Sequence, residues 1–319
     1  MQNLSLTLKR FFNRRNTAIL VGTLVILIGG RILFPVPLPT IQLPAEKIPG
    51  LTVLGFPITN TLLATLLADL TLLAIVLAVR RRMTLIPSGL QNLVEWFLET
   101  FYNLAEEMAG AKARRFFPFF MTILLFLLVA NWWELFPGFD SIGIIEPAHK
   151  EGMRSYKIKE LGPIAILTAE PLDEGEHGYV LVPFLRAAAT DLNLPLALAL
   201  IVIVYVQVTG FRDLGRAYLR KFFNFKTPVD GFVGILELIS EFAKIISFTF
   251  RLFGNIFAGQ VLLFVVPFLI PFLVVLPFYG LELFVGFMQA FVFATLSLVF
   301  LSMAGVSHEG HSEHSEASH

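Results

Sequence analysis

Cysteine is absent from all 319 residues. Disulfides, thiolate catalysis and cysteine-held iron–sulfur clusters are therefore excluded, and thiol usage says nothing of redox compartment. Charge is scarce too, at 15% of the chain against about 25% in ordinary soluble domains. The 24 basic and 24 acidic side chains cancel, so there is no basic excess to hold nucleic acid. No G-x-x-x-x-G-K-[ST] phosphate loop occurs, which places any ATP chemistry on other chains. No internal repeat of roughly 20–50 residues is evident, which argues against an inverted-repeat transporter. What abounds is apolar surface: 56% of residues are hydrophobic and the mean hydropathy is +0.75. A soluble fold could not hide that much, and a disordered chain has the opposite composition. The chain reads as an integral membrane protein.

A spanning helix needs about 20 mostly apolar residues. Thr17–Phe34, Ile58–Val79, Phe116–Phe136 and Leu194–Gly210 meet that requirement. A further apolar region runs from Gly231 to Gly305, interrupted by Pro267, Pro271, Pro277 and Gly280. Prolines at that density mark the turn of a helical hairpin. As a helix, Gly231–Val266 would be roughly 54 Å long, against a hydrocarbon core of about 30 Å. It must tilt strongly or break, and a tilted, unbroken arm is the expectation. The fold class is thus all-α, with about six membrane helices including that long hairpin.

Basic residues set the orientation. They cluster at Lys9, Arg10, Arg14 and Arg15, at Arg80–Arg82, at Lys112, Arg114 and Arg115, and at Arg212, Arg216, Arg220 and Lys221. These loops alternate as cytoplasmic, which puts Pro35–Pro57 and the acid-rich loop Gly138–Asp191 outside and both termini inside. Thr17–Phe34 has no small-x-small cleavage site after it, so a retained helix is expected. Ser88–Gly110 differs. Leu90, Leu93, Val94, Phe97, Phe101, Leu104 and Met108 recur at helical spacing opposite Gln91, Asn92, Glu95, Glu99, Asn103, Glu106 and Glu107. That pattern predicts an amphipathic interfacial helix, with Ser88 and Gln91 at capping-box spacing. Trp132 and Trp133 are expected as interfacial anchors. The organisation expected is an extra helix and outer segment over 1–57, two spans with the interfacial helix over 58–136, and an outer insertion over 137–193. A span and cytoplasmic loop follow over 194–226, then the hairpin over 227–305 and a His-rich tail over 306–319. The tail's His308, His311, His314 and His319 read as a solvated terminus, without the structured geometry of a metal site.

Ionisable residues far from either interface carry the functional information, because each costs a few kcal/mol to insert. In the hairpin these are Glu237, Glu241, Lys244, Arg251 and Glu282; Asp69 lies mid-span in Ile58–Val79. Glu237, Lys244 and Arg251 are seven apart, drifting about 20° per step around a helix. Ser247 and Asn255 flank Arg251 at four residues on either side, completing a polar stripe. Gln260 points to roughly the opposite side, and Glu282 and Gln289 share a face of the second arm. Gly254, Ala258 and Gly259 keep the helix thin, letting another helix approach closely. Bland alternatives stand beside these readings. Glu237, Glu241 and Lys244 could form an internal ion-pair set, and Asp69 could bond a neighbouring helix. Arg251 is too far from either end of its segment to snorkel.

The run Phe250-Arg251-Leu252-Phe253-Gly254-Asn255-Ile256-Phe257-Ala258-Gly259 resembles the signature of subunit a of the F-type ATP synthase. Gln289-Ala290-Phe291-Val292-Phe293 is similar to that family's second signature, and Asn131–Pro137 and Thr190–Asn193 resemble weaker motifs. The likeness covers about Ile58–Pro137 and Thr190–Ala304. It implies a stator packed against a rotating ring of carboxylate-bearing c subunits, with b-type peripheral-stalk subunits and the rest of the synthase as further partners. No cofactor and no catalytic site on this chain are implied. Arg251 falls on the family's essential arginine; Asn255, Gln289, Ser247 and Glu237 fall on positions lining its half-channels. Lys244, Glu241, Asp69 and Asp191 join the expected proton path. Glu282 and Gln260 match a polar pair that elsewhere holds an acid and a histidine. Glutamine cannot titrate, so proton exchange rests on Glu282, assigned to the outer path by the resemblance. A bacterial plasma membrane is the implied location.

A guanidinium keeps its proton in proteins, so Arg251 is no relay. At about 4 Å and an effective dielectric near 20 it would attract a carboxylate by about 4 kcal/mol. A ring acid would then discharge opposite Arg251 and hold its proton against lipid. The rival readings are a proton-coupled secondary transporter or pumping respiratory subunit, and a non-transporting scaffold. The first needs repeat symmetry and a wholly titratable relay; the second would tolerate Arg251→Leu.

Overall fold

A computed structural model describes residues 45–53, 55–81, 83–147, 156–161, 164–168, 178–220, 222, 228–269 and 275–304, with Gly22 and Gly29. The span expected at Thr17–Phe34, apart from those two glycines, and the His-rich tail lie outside the described residues. The elements run β1 (Lys47–Val53), β2 (Phe56–Thr59), α1 (Asn60–Arg81), α2 (Leu90–Ala109), α3 (Ala113–Glu134), β3 (Gly143–Pro147), β4 (Lys157–Leu161), β5 (Ile164–Thr168) and β6 (Tyr179–Pro183). Then follow α4 (Asn193–Leu214), the short α5 (Arg216–Arg220), α6 (Pro228–Leu269) and α7 (Val275–Ala304). Among the described residues five candidate spans are long and apolar enough to cross a membrane, with α2 and α3 counted together across one 3₁₀ turn. The protein is an all-α integral membrane protein, as its composition requires. The segments between the long helices add small antiparallel ribbons, β1–β2, β3–β6 and β4–β5, which the loop composition did not foretell.

The long arm is a single helix. α6 runs unbroken for 42 residues, with Pro267 accommodated in its last turn. At 1.5 Å per residue this exceeds what a roughly 30 Å hydrocarbon core holds upright.

By internal contacts the chain divides into two compact units. The larger comprises Leu43–Ile142, Phe184–Phe257 and Leu283–His319; the smaller comprises Met1–Gln42, Gly143–Pro183 and Ala258–Glu282. In the larger unit one core gathers Phe116, Phe120, Leu124 and Leu127 of α3 with Val202 and Val206 of α4, Phe248 and Leu252 of α6, and Phe293, Leu298 and Leu301 of α7. Phe248 meets Phe293 edge-on at 4.7 Å between ring centroids, a favoured aromatic geometry. Trp132 and Trp133 are more than interfacial anchors. The indole of Trp132 donates to the Leu283 carbonyl at 3.2 Å and that of Trp133 to Thr71 Oγ1 at 3.0 Å. Asn131 Nδ2 donates to the Gly286 carbonyl at 3.0 Å. One short stretch of α3 thereby clamps both α1 and α7.

The amphipathic helix forms, but its start differs from the expectation. Gly89, at φ +56°, occupies the N-cap, not Ser88, and no side chain caps the helix. Gln91 is buried because its amide is spent elsewhere. Its Oε1 accepts from Thr84 N at 3.0 Å, and its Nε2 donates to the Thr84 carbonyl at 2.9 Å and to Glu95 Oε1 at 2.7 Å. Leu90, Leu93 and Trp96 are consequently exposed, while Phe101 and Ala105 further along are buried against the core.

Candidate functional site

The polar stripe of α6 forms because nothing from Pro228 to Val266 interrupts the helix, so residues three and four apart stack on one face. Its Glu241–Lys244 portion is an ion pair, 2.8 Å between Lys244 Nζ and Glu241 Oε1. Glu241 is buried, and the Lys244 ammonium also lies 5.0 Å from the centroid of the Phe300 ring. Glu241 and Lys244 are thus paired within the chain, one part of the three-residue ion-pair set of the bland reading. Glu237 is half-buried one turn earlier.

Arg251 is different. Its guanidinium Nη2 donates to Ser247 Oγ at 3.4 Å, near the outer limit of a hydrogen bond. The guanidinium carbon sits 5.8 Å from the centroid of the buried Phe248 ring. Nη1 is a buried donor with no acceptor among the described residues. No described carboxylate comes within ion-pair reach of it. A half-buried charge without a paired acid among the described residues is costly in a membrane and calls for a partner.

One turn beyond, Asn255 Nδ2 donates to Gln289 Oε1 at 2.7 Å, joining α6 to α7. Gln289 is buried, and its Nε2 is a second buried donor without an acceptor among the described residues. Gly254 lies between Arg251 and Asn255, and a Cβ built there meets nothing within 4 Å. The helix is therefore thin on a side the described residues leave open. Gly259, in the smaller unit, has the opposite surroundings: a Cβ added to it would fall on the Glu282 carboxylate. At Gly259 the helix that approaches is α7 of this same chain, through its own acid, whereas at Gly254 no described atom takes up the space. Gln260, next to Gly259, is buried, and Glu282 is half-buried.

The remaining expected residues lie elsewhere. Asp191 accepts from Asn193 N at 3.2 Å and from Asn193 Nδ2 at 3.0 Å, a turn that starts α4, and from Thr61 Oγ1 at 3.5 Å. Asp69 is exposed on α1 and bonds no neighbouring helix among the described residues.

Sequence reasoning missed Tyr218 and Gln207. The Tyr218 hydroxyl donates to Gln207 Oε1 at 2.7 Å, and its ring occupies the space a side chain at Gly210 would need. Burial, then the negative charges of Glu241 and Glu237, push the phenol up to about 12. The only hint was a lone amide in the apolar run Tyr205–Thr209. The sign is clear: the neutral phenol favours the fold, so this contribution is intact below pH 10 and lost as pH climbs through about 12. A spectrophotometric titration of wild type minus Tyr218→Phe should show phenolate absorbance rising near pH 12; a rise near pH 10 would contradict the burial.

Residues 61–302 match the family described as ATP synthase A chain. The chain is 30% identical over 247 residues to ATP synthase subunit a of Moorella thermoacetica, covering 77% of this chain and 90% of that protein. It is also 30% identical over 247 residues to ATP synthase subunit a of Campylobacter jejuni, covering 75% of this chain and 88% of the relative. With this likeness running through every described span, and an arginine on the long helix that pairs with no acid among the described residues, the chain belongs to the ATP synthase A chain family.

Proposed function

We propose that this chain is the proton-conducting stator of an ATP synthase. It supplies two aqueous half-channels, one to each side of the membrane, and a fixed arginine that couples proton flow to rotation of a c-subunit ring. The single observation that carries the reading is Arg251: a permanent cation on a membrane helix, propped on Phe248, with a buried donor unused and no described carboxylate near it. Such a charge is suited to an acid brought by another protein. The open side at Gly254 gives that protein room to approach.

An acid carried through lipid holds its proton, because desolvation disfavours its charged form. Opposite Arg251 it is drawn to ionise by about 4 kcal/mol. Rotation becomes obligatory when each half-channel reaches only one face, and Arg251 repels hydronium that would pass straight between them. The driving force is about 2.3 kcal/mol per charge per 100 mV. On the cytoplasmic side the path uses Glu237, Glu241, Lys244 and Ser247. Asn255 and Gln289 line the region beside the arginine, and Glu282 with Gln260 serves the outer path. The b-type peripheral-stalk subunits hold the chain against the ring, ATP chemistry resides on the soluble partners, and both termini face the cytoplasm of a bacterial plasma membrane.

A chain without cysteine makes the test direct. Gly254→Cys introduces the sole thiol of the chain, on the open side of α6. In the complex purified from native membranes, this thiol should crosslink to a small two-helix subunit bearing one mid-membrane Asp or Glu. Failure to crosslink to any such subunit would overturn the reading. Glu282→Gln should slow proton-driven synthesis and flatten its dependence on outer pH; an unchanged pH profile removes Glu282 from the path.

A further inference from the structure

The acids near the start of α6 face inward. From Phe232 to Ala243, Gly234, Glu237 and Glu241 are buried or half-buried, and the residues around them are exposed among the described residues. Their spacing of three and four puts them on one face of the helix. What meets that face is the connection from α4. The Phe222 carbonyl occupies the place a Cβ would take at Gly234, and the Phe222 ring lies edge-on to that of Tyr218, 5.7 Å between centroids. Tyr218, on α5, is buried. Its ring fills the place of a side chain at Gly210 on α4, and its hydroxyl donates to Gln207 Oε1 at 2.7 Å. Gln207, Tyr218, Phe222 and Gly234 thus form a continuous tie from α4 to the face of α6 that carries both acids, all within the larger unit.

Phenylalanine at residue 218 would serve packing alone. A hydroxyl and an amide that satisfy each other inside an apolar run also fix the direction of the ring. We infer that Tyr218 is a positioning residue for the cytoplasmic proton path: held on α4 by Gln207 and Gly210, it sets, through Phe222 and Gly234, where α6 carries Glu237 and Glu241. Those acids belong to that path on the stator reading, on which this inference rests. The charged groups around the phenol among the described residues are Glu241 and Glu237 of α6, with Lys244 Nζ 2.8 Å from Glu241; α4 meets it with the uncharged Gln207. Burial first, then those two acids, push the phenol up to about 12, so it stays neutral and does not itself carry the proton.

The test measures proton-driven ATP synthesis by the whole complex in vesicles, per assembled complex, while the pH of each side is varied in turn. Tyr218→Phe keeps the ring and Gln207→Leu keeps the bulk, yet each removes the same bond. Each should slow the maximal rate about two- to tenfold, the worth of one hydrogen bond. Each should also move the midpoint of the cytoplasmic-side pH profile by about half a unit or more, while the profile against the opposite side stays in place. The double variant should be no worse than the more severe single one, since both changes break one interaction. Arg115→Gln is the control for simple loosening: it breaks the 2.7 Å bridge to Asp213 that ties α3 to the same end of α4, and should move neither profile. An unmoved cytoplasmic-side profile in Tyr218→Phe, additive losses in the double variant, or the same shift in Arg115→Gln would each overturn the inference with the stator reading intact. A wild-type complex that makes no ATP from a proton gradient would instead end the stator reading, and the role of Tyr218 with it.

Discussion

Replacing Arg251 with alanine should abolish proton-driven ATP synthesis in reconstituted vesicles while leaving the complex assembled. The guanidinium contributes about 4 kcal/mol to ionising an acid at about 4 Å, a factor of roughly a thousand in its charged fraction. Driven synthesis should therefore fall below about a thousandth of wild type. Passive proton leak should persist or rise, because the charge that separates the two paths is gone. Assembly survives because, among the described residues, Arg251 makes one weak hydrogen bond, to Ser247, and one ring contact. Arg251→Lys separates charge from shape. An ammonium keeps the attraction but lacks the planar fork of a guanidinium, so a small residual rate is expected. Coupled synthesis at near wild-type rate in Arg251→Ala would end the stator reading, and loss of the whole complex would show that the arginine is structural.

Gly259→Val should be the second most damaging change, through a different cause. Any Cβ at residue 259 lands on the Glu282 carboxylate, so the acid must swing away or α6 and α7 must part there. The carboxylate ends a flexible side chain, so the damage falls on the position of the acid more than on the fold. If Glu282 exchanges protons, flux should drop on the order of tenfold or more even where the chain inserts normally. Shortening the acid relieves the clash: Gly259→Ala should be partly rescued by Glu282→Asp but not by Glu282→Gln, which keeps the length and loses the proton. Gly254→Ala provides the comparison, since its Cβ meets nothing within the chain. Any loss of activity there must come from the partner's side. Synthesis and proton uptake, measured on vesicles with equal amounts of assembled complex, distinguish these outcomes.

Several features were legible because their causes are local. A run of apolar residues announces a span wherever it lies, and Ile58–Val79, Phe116–Phe136, Leu194–Gly210 and the hairpin arms appear as α1, α3, α4, α6 and α7 within a few residues. Helical geometry likewise put Ser247, Arg251 and Asn255 on one face before any coordinates. Features that needed a distant partner were not legible. Ser88 has the spacing of a cap, yet Gly89 takes the position and Gln91 turns to Thr84. Trp132 and Trp133 look like anchors, but their N–H groups serve α7 and α1. Tyr218 carries no signal in its own pentapeptide; its role comes from Gln207, Gly210, Glu237 and Glu241 on two other helices.

By itself the sequence determined that this protein lives in a membrane, that its long arm stays helical, and that an arginine occupies the arm's interior. Hydrophobic length and the 3.6-residue turn are properties of a single segment. Tertiary structure alone decided which charges are matched. Glu241 and Lys244 neutralise each other, whereas exposed Asp69 and half-buried Arg251 find no ion-pair partner among the described residues. Pairing is set by which helices pack side by side, and that packing draws on contacts spread over the whole chain.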